Sequence, residues 1–117
     1  MATVQIAFTD NSDNEDLFTI YRSADGAAVT SAAATEAVAT VTWNTTNSIW
    51  DIASGVVDST ASAAFVGAAP TADPSTTNSF TVQYEESNAG TYIYGVEAEN
   101  GIGKSATTSA AGAITIT

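Results

Sequence analysis

The sequence predicts an all-β fold, a sandwich of two antiparallel sheets. Three observations predict it. Val, Ile, Thr, Tyr and Phe recur in short runs that alternate with polar residues, the pattern of strands with one buried face. The residues that favour helices are nearly missing, since Leu17 is the only leucine and Lys104 the only lysine. The runs are separated by clusters of Asp, Asn, Ser, Gly and Pro, which favour turns. With 117 residues, 44% of them hydrophobic, the chain is long enough for one core and too short for two, so residues 1–117 are expected to form a single domain.

Val4, Ile6 and Phe8 alternate with Gln5, Ala7 and Thr9, which places the first strand between Thr3 and Thr9. Residues 10–16 contain no apolar side chain and form a loop at one end of the sandwich. Alternation resumes from Leu17 to Arg22, with Phe18 and Ile20 inward and Thr19 and Tyr21 on the opposite face, and Ser23 to Gly26 closes the strand. From Ala37 to Trp43, strict alternation puts Ala39, Val41 and Trp43 on one side and Val38, Thr40 and Thr42 on the other. After a polar turn over residues 44–48, Ile49 to Ile52 starts a short partner strand.

Ala32 to Ala34 and Ala61 to Ala64 are alanine-rich patches that could form a short helical turn, and the adjacent Ser and Thr and the shortness of each run favour loop or edge strand. Pro70 and Pro74 mark an irregular stretch over residues 67–78, because neither can donate to a central ladder. Phe80, Val82 and Tyr84 define the next strand, and Tyr92, Tyr94, Val96 and Ala98 the one after it. Gly101 to Gly103 turns the chain, which ends on Ile114 and Ile116 between threonines.

The residues Tyr92, Tyr94, Val96, Ala98, Asn100, Gly103 and Ser105 resemble the signature of fibronectin type III modules from the penultimate strand into the final turn. Phe8 to Glu15 with Phe18, Ile20, Tyr21 and Arg22 resembles the early part of bacterial members, Phe8 standing where they usually carry tryptophan. The resemblance implies an immunoglobulin-like sandwich in which Tyr92 serves as the tyrosine corner, its hydroxyl tying a connection to backbone. Asn100 and Gly103 permit the reversal into the last strand. Tyr94 stands where immunoglobulin domains carry their second cysteine, and this chain has none. The family pattern leaves the stretch from Ser23 to Ser79 enlarged, which implies an inserted hairpin or extended loop, the place to look for a binding surface.

Composition excludes several chemistries. With no histidine and no cysteine, Ser-His-Asp, Cys-His and histidine-ligated metal sites are ruled out. Glu97 and Glu99 lie on one face of a strand about 6.5 Å apart, a spacing glycosidase carboxylates use. Their shared face reads as solvated, and the chain as a non-enzyme. Thirteen acids against two bases give a formal charge of −11, which repels nucleic acid and anionic membranes.

Asp10, Ser12, Asn14 and Asp16 put oxygen ligands at alternate positions, as calcium loops do. The central glycine and distal glutamate of an EF-hand are missing, so weak calcium binding is the most this loop implies, and no other cofactor is expected. Trp50, Tyr21 and Trp43 are candidates for contacting a protein or carbohydrate partner, with Trp43 read as core and Trp50 as the better surface group.

Met1 leads directly into a strand with no signal-peptide pattern. The expected function is therefore that of a structural protein on a virion surface, a phage capsid decoration or fibre component whose partner is a capsid or other particle surface. Either terminal strand, Thr3 to Thr9 or Ala113 to Thr117, is expected to be able to pair with a neighbouring chain. The alternative is a spacer or carbohydrate-binding module of a secreted, extracellular bacterial protein.

Overall fold

The computed structural model describes residues 2–10, 16–24, 37–54, 63–76, 78–86, 89–99, 108–109 and 114–116. Nine strands follow one another within them: β1 (Ala2–Asp10), β2 (Leu17–Ala24), β3 (Ala37–Asn44), β4 (Ile49–Ser54), β5 (Ala63–Phe65), β6 (Asn78–Glu86), β7 (Gly90–Glu99), β8 (Thr108–Ser109) and β9 (Ile114–Ile116). They form two antiparallel sheets. Sheet A has the order β1-β6-β5, and sheet B runs β4-β3-β2-β7-β8, with β9 also paired to β7. The chain passes from A to B after β1, returns after β4, and crosses again after β6, so that neighbouring strands of sheet A come from distant parts of the sequence.

Alternation places the core. Along β6, Asn78, Phe80, Val82, Tyr84 and Glu86 are buried and the residues between them are more exposed. Val4 and Ile6 on β1 face the same way, and Phe18, Ile20, Val41, Trp50, Tyr92 and Tyr94 meet them from sheet B. Period-2 patterning therefore built both inner faces as the sequence predicts.

In β3 strict alternation fails. Ala37, Val38 and Ala39 are all buried. The register against β2 steps from Ile20↔Ala39 to Tyr21↔Ala37, so Val38 is an extra residue opposite the Ile20/Tyr21 junction. Such a bulge lets two successive side chains share one face. Val38, expected on the outer side with Thr40 and Thr42, joins the main core beside Ala39. Ala37 packs with Tyr21 and the half-buried Ile93 in a second, smaller cluster.

Within the stretch from Ser23 to Ser79, β3 and β4 contribute a hairpin to sheet B. β3 and β4 pair from Ala39↔Ser54 to Asn44↔Ile49. In the turn, the Asn44 carboxamide oxygen accepts from the backbone amides of Thr46 and Asn47 at 3.0 and 3.1 Å, and its nitrogen donates to Asp51 at 3.0 Å. This is the local bonding by which asparagine initiates turns. The turn closes on Ser48, whose φ of 53° is left-handed. A second polar turn follows Pro70. The Asp73 carboxylate accepts the Ser75 amide at 2.9 Å, and the Asp73 carbonyl accepts from the Thr76 amide and the Asn78 side chain. Of the alanine-rich patch at 61–64, Ala63 and Ala64 begin β5, an edge strand among the described residues, and the remainder lies outside them. The patch at 32–34 lies outside the described residues.

Ser48 holds a conformation that disfavours a side chain by about 1 kcal/mol and that glycine adopts freely. Ser48→Gly is expected to stabilise the fold by about 0.5–1 kcal/mol, with glycine's extra freedom in the unfolded chain offsetting part of the gain. Ser48→Val is expected to destabilise it. Chemical denaturation of the three proteins checks the order.

Candidate functional site

Among the described residues, a cluster of buried ionisable side chains lies between the sheets. Arg22 on β2 points inward after Phe18 and Ile20, and Glu86 ends the inward row of β6. They form an ion pair across the sandwich, with their side chains 8% and 0% exposed. Tyr94 on β7, opposite Arg22 in the β2–β7 ladder, donates its hydroxyl to the same Glu86 oxygen at 3.1 Å. The Arg22 guanidinium also lies 4.5 Å from the centre of the Tyr92 ring. Each charge is thus met by a group able to compensate its lost hydration, which is the condition for burying an ion pair.

Tyr92 continues the cluster to the surface. Its hydroxyl donates to the Ala89 carbonyl at 3.2 Å, folding the ring back over the entry to β7. Gly90 makes room for it: φ there is +153°, and an added Cβ would lie 3.0 Å from the Tyr92 ring and hydroxyl. Burial, and then the adjacent Glu86 carboxylate, push the Tyr94 phenol far above the ordinary tyrosine range. The site therefore holds a carboxylate, a guanidinium and a protonated phenol inside the core. It ties sheet A to sheet B at the end of the sandwich where β6 hands over to β7.

The residues expected from the sequence to contact a partner lie outside this cluster. Trp50, expected at the surface, is 1% exposed. It packs edge-on to Phe80 at 5.0 Å and beside Phe18 at 5.8 Å. Its indole N–H donates to the Ala72 carbonyl at 2.8 Å, and its backbone N–H to Pro70 at 3.1 Å. The proline-containing stretch covers this strand and satisfies the ring, so the polar neighbours of Trp50 in the sequence were a poor guide to its burial. Trp43, expected in the core, is half-buried, pairing across the hairpin with Trp50 at 5.4 Å between ring centres. Tyr21 is buried with Ala37 and Ile93 on the far face of sheet B.

Glu97, read as solvated, is 2% exposed and accepts from the Tyr21 hydroxyl at 3.4 Å. The far face of sheet B therefore carries its own buried polar contact. Alternation alone could not find it, since it separates faces and not solvent exposure. Glu99, its supposed companion, remains half-buried at the end of the strand.

Of the calcium candidates, Ser12 and Asn14 lie outside the described residues, and Asp10 ends β1. Asp16 is exposed, while its backbone is fixed: its N–H donates to Glu99 at 3.2 Å and its carbonyl accepts from Trp43 at 2.9 Å. No cluster of three acidic side chains able to hold a metal occurs among the described residues. Asn100 and Gly103 also lie outside the described residues. Val96 is half-buried against the core.

Two outcomes follow from the buried pair. Arg22→Met leaves Glu86 charged and without its guanidinium, and is expected to cost about 3–5 kcal/mol. Arg22→Met with Glu86→Gln removes the orphaned charge, keeps an acceptor for Tyr94, and is expected to recover most of that loss. A double-mutant cycle in urea measures the coupling.

The second outcome concerns alkaline pH. The unfolded tyrosine ionises near pH 10 and the folded Tyr94 does not. Its contribution is complete below about pH 10 and is lost as pH rises from there. Tyr94→Phe is expected to flatten the decline of stability above pH 10 by up to one proton's slope while lowering stability at neutral pH through the lost bond to Glu86. Denaturation curves at pH 7 to 11 separate the two effects.

Against known proteins the chain gives no match: no family model, no curated protein and no solved structure aligns with it.

Proposed function

We propose that this chain is a non-catalytic, immunoglobulin-like building block carried on the exterior of a phage particle, as a capsid decoration or fibre protein. The observation that carries the reading is the use of the buried ionisable groups. Arg22, Glu86 and Tyr94 neutralise and hydrogen-bond one another between the sheets. Groups engaged in that way hold a scaffold together and are not free to exchange protons with a substrate.

The strand order supports the immunoglobulin-like assignment. Sheet A, β1-β6-β5, follows the B-E-D part of an immunoglobulin sheet, and sheet B follows C″-C′-C-F-G, the variable-type layout with its extra hairpin. On this reading the enlarged middle is the added C′-C″ hairpin and the D strand. The hydroxyl-to-backbone bond of Tyr92 corresponds to the tyrosine corner. An acidic exterior suits such a role. The chain's only arginine is internal, as are Glu86 and Glu97, so eleven acids and one lysine remain over the rest of the molecule, and particles carrying it repel one another and stay dispersed. The partner is a protein surface of the particle, contacted without nucleic acid or membrane.

Mass spectrometry of purified virions is expected to find the intact protein at a fixed copy number per capsid. Surface labelling of intact particles is expected to modify it. Its absence from particles overturns the reading. Glycan-array binding that disappears in a folded Trp43→Ala variant would favour the carbohydrate-binding alternative instead, since Trp50 is inside the core.

A further inference from the structure

The two long edges of the sandwich are built differently. At the edge of sheet B, β4 is guarded: the Trp50 amide is bonded to Pro70, and Asp51 presents an exposed charge. At the edge of sheet A, β1 pairs with β6 over nine consecutive residues, from Ala2↔Glu86 to Asp10↔Asn78, without a register shift. Among the described residues no strand pairs with its other side. Proteins ordinarily protect such an edge with lysine, proline, a bulge, a short strand or a cover. From Ala2 to Thr9 there is no charged residue and no proline, and the ladder is neither short nor bulged.

Thr3, Gln5, Ala7 and Thr9 are exposed along one face of this edge. On the other face Val4 and Ile6 are 3% exposed and Phe8 is half-buried. An added strand would gain backbone hydrogen bonds along its length and would set alternate apolar side chains beside Phe8 at the margin of the core. In the variable-type layout a further strand lies beside this position, so the slot is one the fold accommodates.

Charge selects the occupant. A second copy would bring another −11 against the first, and like charges oppose close approach. A cationic strand is attracted by the same field, and Glu85, held by the Thr3 hydroxyl, marks a carboxylate on the outer face one strand away from the edge. We propose that the β1 edge is a docking site for an extended basic segment of a neighbouring protein, added antiparallel or parallel as a fourth strand of sheet A. The segment alternates apolar residues on the core side with lysine or arginine on the outer side. For the source of the strand this inference rests on the building-block reading; for the contact itself it rests on the edge alone.

The test uses the full chain and a nonapeptide, Lys-Val-Thr-Val-Lys-Ile-Thr-Val-Lys, with a control in which glutamate replaces each lysine. Hydrogen exchange is expected to slow about tenfold or more at alternate amides between Thr3 and Thr9 when the lysine peptide is added, since ladder formation protects every second amide of an edge. The glutamate peptide is expected to leave them unchanged. The protection is expected to weaken as salt rises, because added ions screen the attraction. A Gln5→Lys/Ala7→Lys variant with an unchanged thermal midpoint is expected to lose it.

Unchanged exchange along β1, equal protection by both peptides, or dimers of the chain alone that strengthen with salt and protect the same amides would each overturn the proposal. The particle experiment is independent. A protein found on virions whose β1 edge ignores the lysine peptide refutes the docking site alone, whereas a responsive edge on a protein absent from virions refutes the particle role alone.

Discussion

The two sheets meet through Phe80. Its ring stacks on Phe8 of its own sheet at 5.1 Å, meets Trp50 edge-on at 5.0 Å, and contacts Phe18 of sheet B at 5.4 Å and Phe65 of β5 at 6.3 Å. Rings from four other strands, β1, β2, β4 and β5, therefore converge on one side chain at the centre of the three-stranded sheet. Rings of this size bury large areas and gain from tilted and edge-on contacts, and truncating one inside a core costs about 3–5 kcal/mol. Without disulfides, the small sheet A is held to the larger sheet B by this packing, by the apolar residues around it and by the Arg22–Glu86–Tyr94 cluster. The aromatic cluster occupies one end of the interface, and the Arg22–Glu86–Tyr94 cluster occupies the other.

The two ends divide the labour of specifying the fold. Apolar packing is tolerant of alternatives, because hydrophobic side chains of similar size can exchange places at modest cost. A buried ion pair is not tolerant, since a slip that separates the partners leaves a charge in the core. Shifting β6 by one residue against β1 would turn Glu86 out and leave Arg22 alone inside. The continuous nine-pair register of β1 and β6 and the position of Glu86 at its end are in this sense one constraint. The same arrangement takes the only arginine from the surface, which makes the exterior more uniformly acidic than the composition alone implies.

The strands most legible in the sequence are β1 and β6, whose inner and outer faces differ in polarity and whose burial alternates, while β2 and β7 present the expected inward residues to the core and also bury Tyr21 and Glu97 on the opposite face. The hairpin of β3 and β4 was legible as strands and not as faces. Its bulge at Val38 changes the parity within β3, and a bulge made of Ala-Val-Ala leaves no glycine to announce it. Trp50 has polar neighbours in the sequence and is buried all the same, because its cover, Pro70 to Ala72, comes from about twenty residues further along the chain. The burial of Glu97 is hidden for a related reason, as its hydroxyl partner Tyr21 is on the neighbouring strand. Arg22 and Glu86 carry no local mark of their pairing at all: they are 64 residues apart and meet only when the two sheets close. Local pattern decides which residues share a face, and tertiary contact decides whether that face is covered.

That distinction bears on the edges as well. β4 and β1 are both outer strands with polar residues on their exposed faces, and sequence pattern treats them alike. Tertiary structure separates them, because the stretch after β5 folds over β4 and bonds its backbone at Trp50. A chain that can cover one edge in this way, and that carries thirteen acids from which a guarding charge could be drawn, nonetheless has eight consecutive uncharged residues at the other. An open ladder is an aggregation hazard in proportion to its length and neutrality. For like molecules, the −11 charge on each copy offsets that hazard while leaving the edge accessible to a strand of opposite charge. Global charge thus does for β1 what Pro70 does for β4, with the difference that charge discriminates between partners and a covering loop does not.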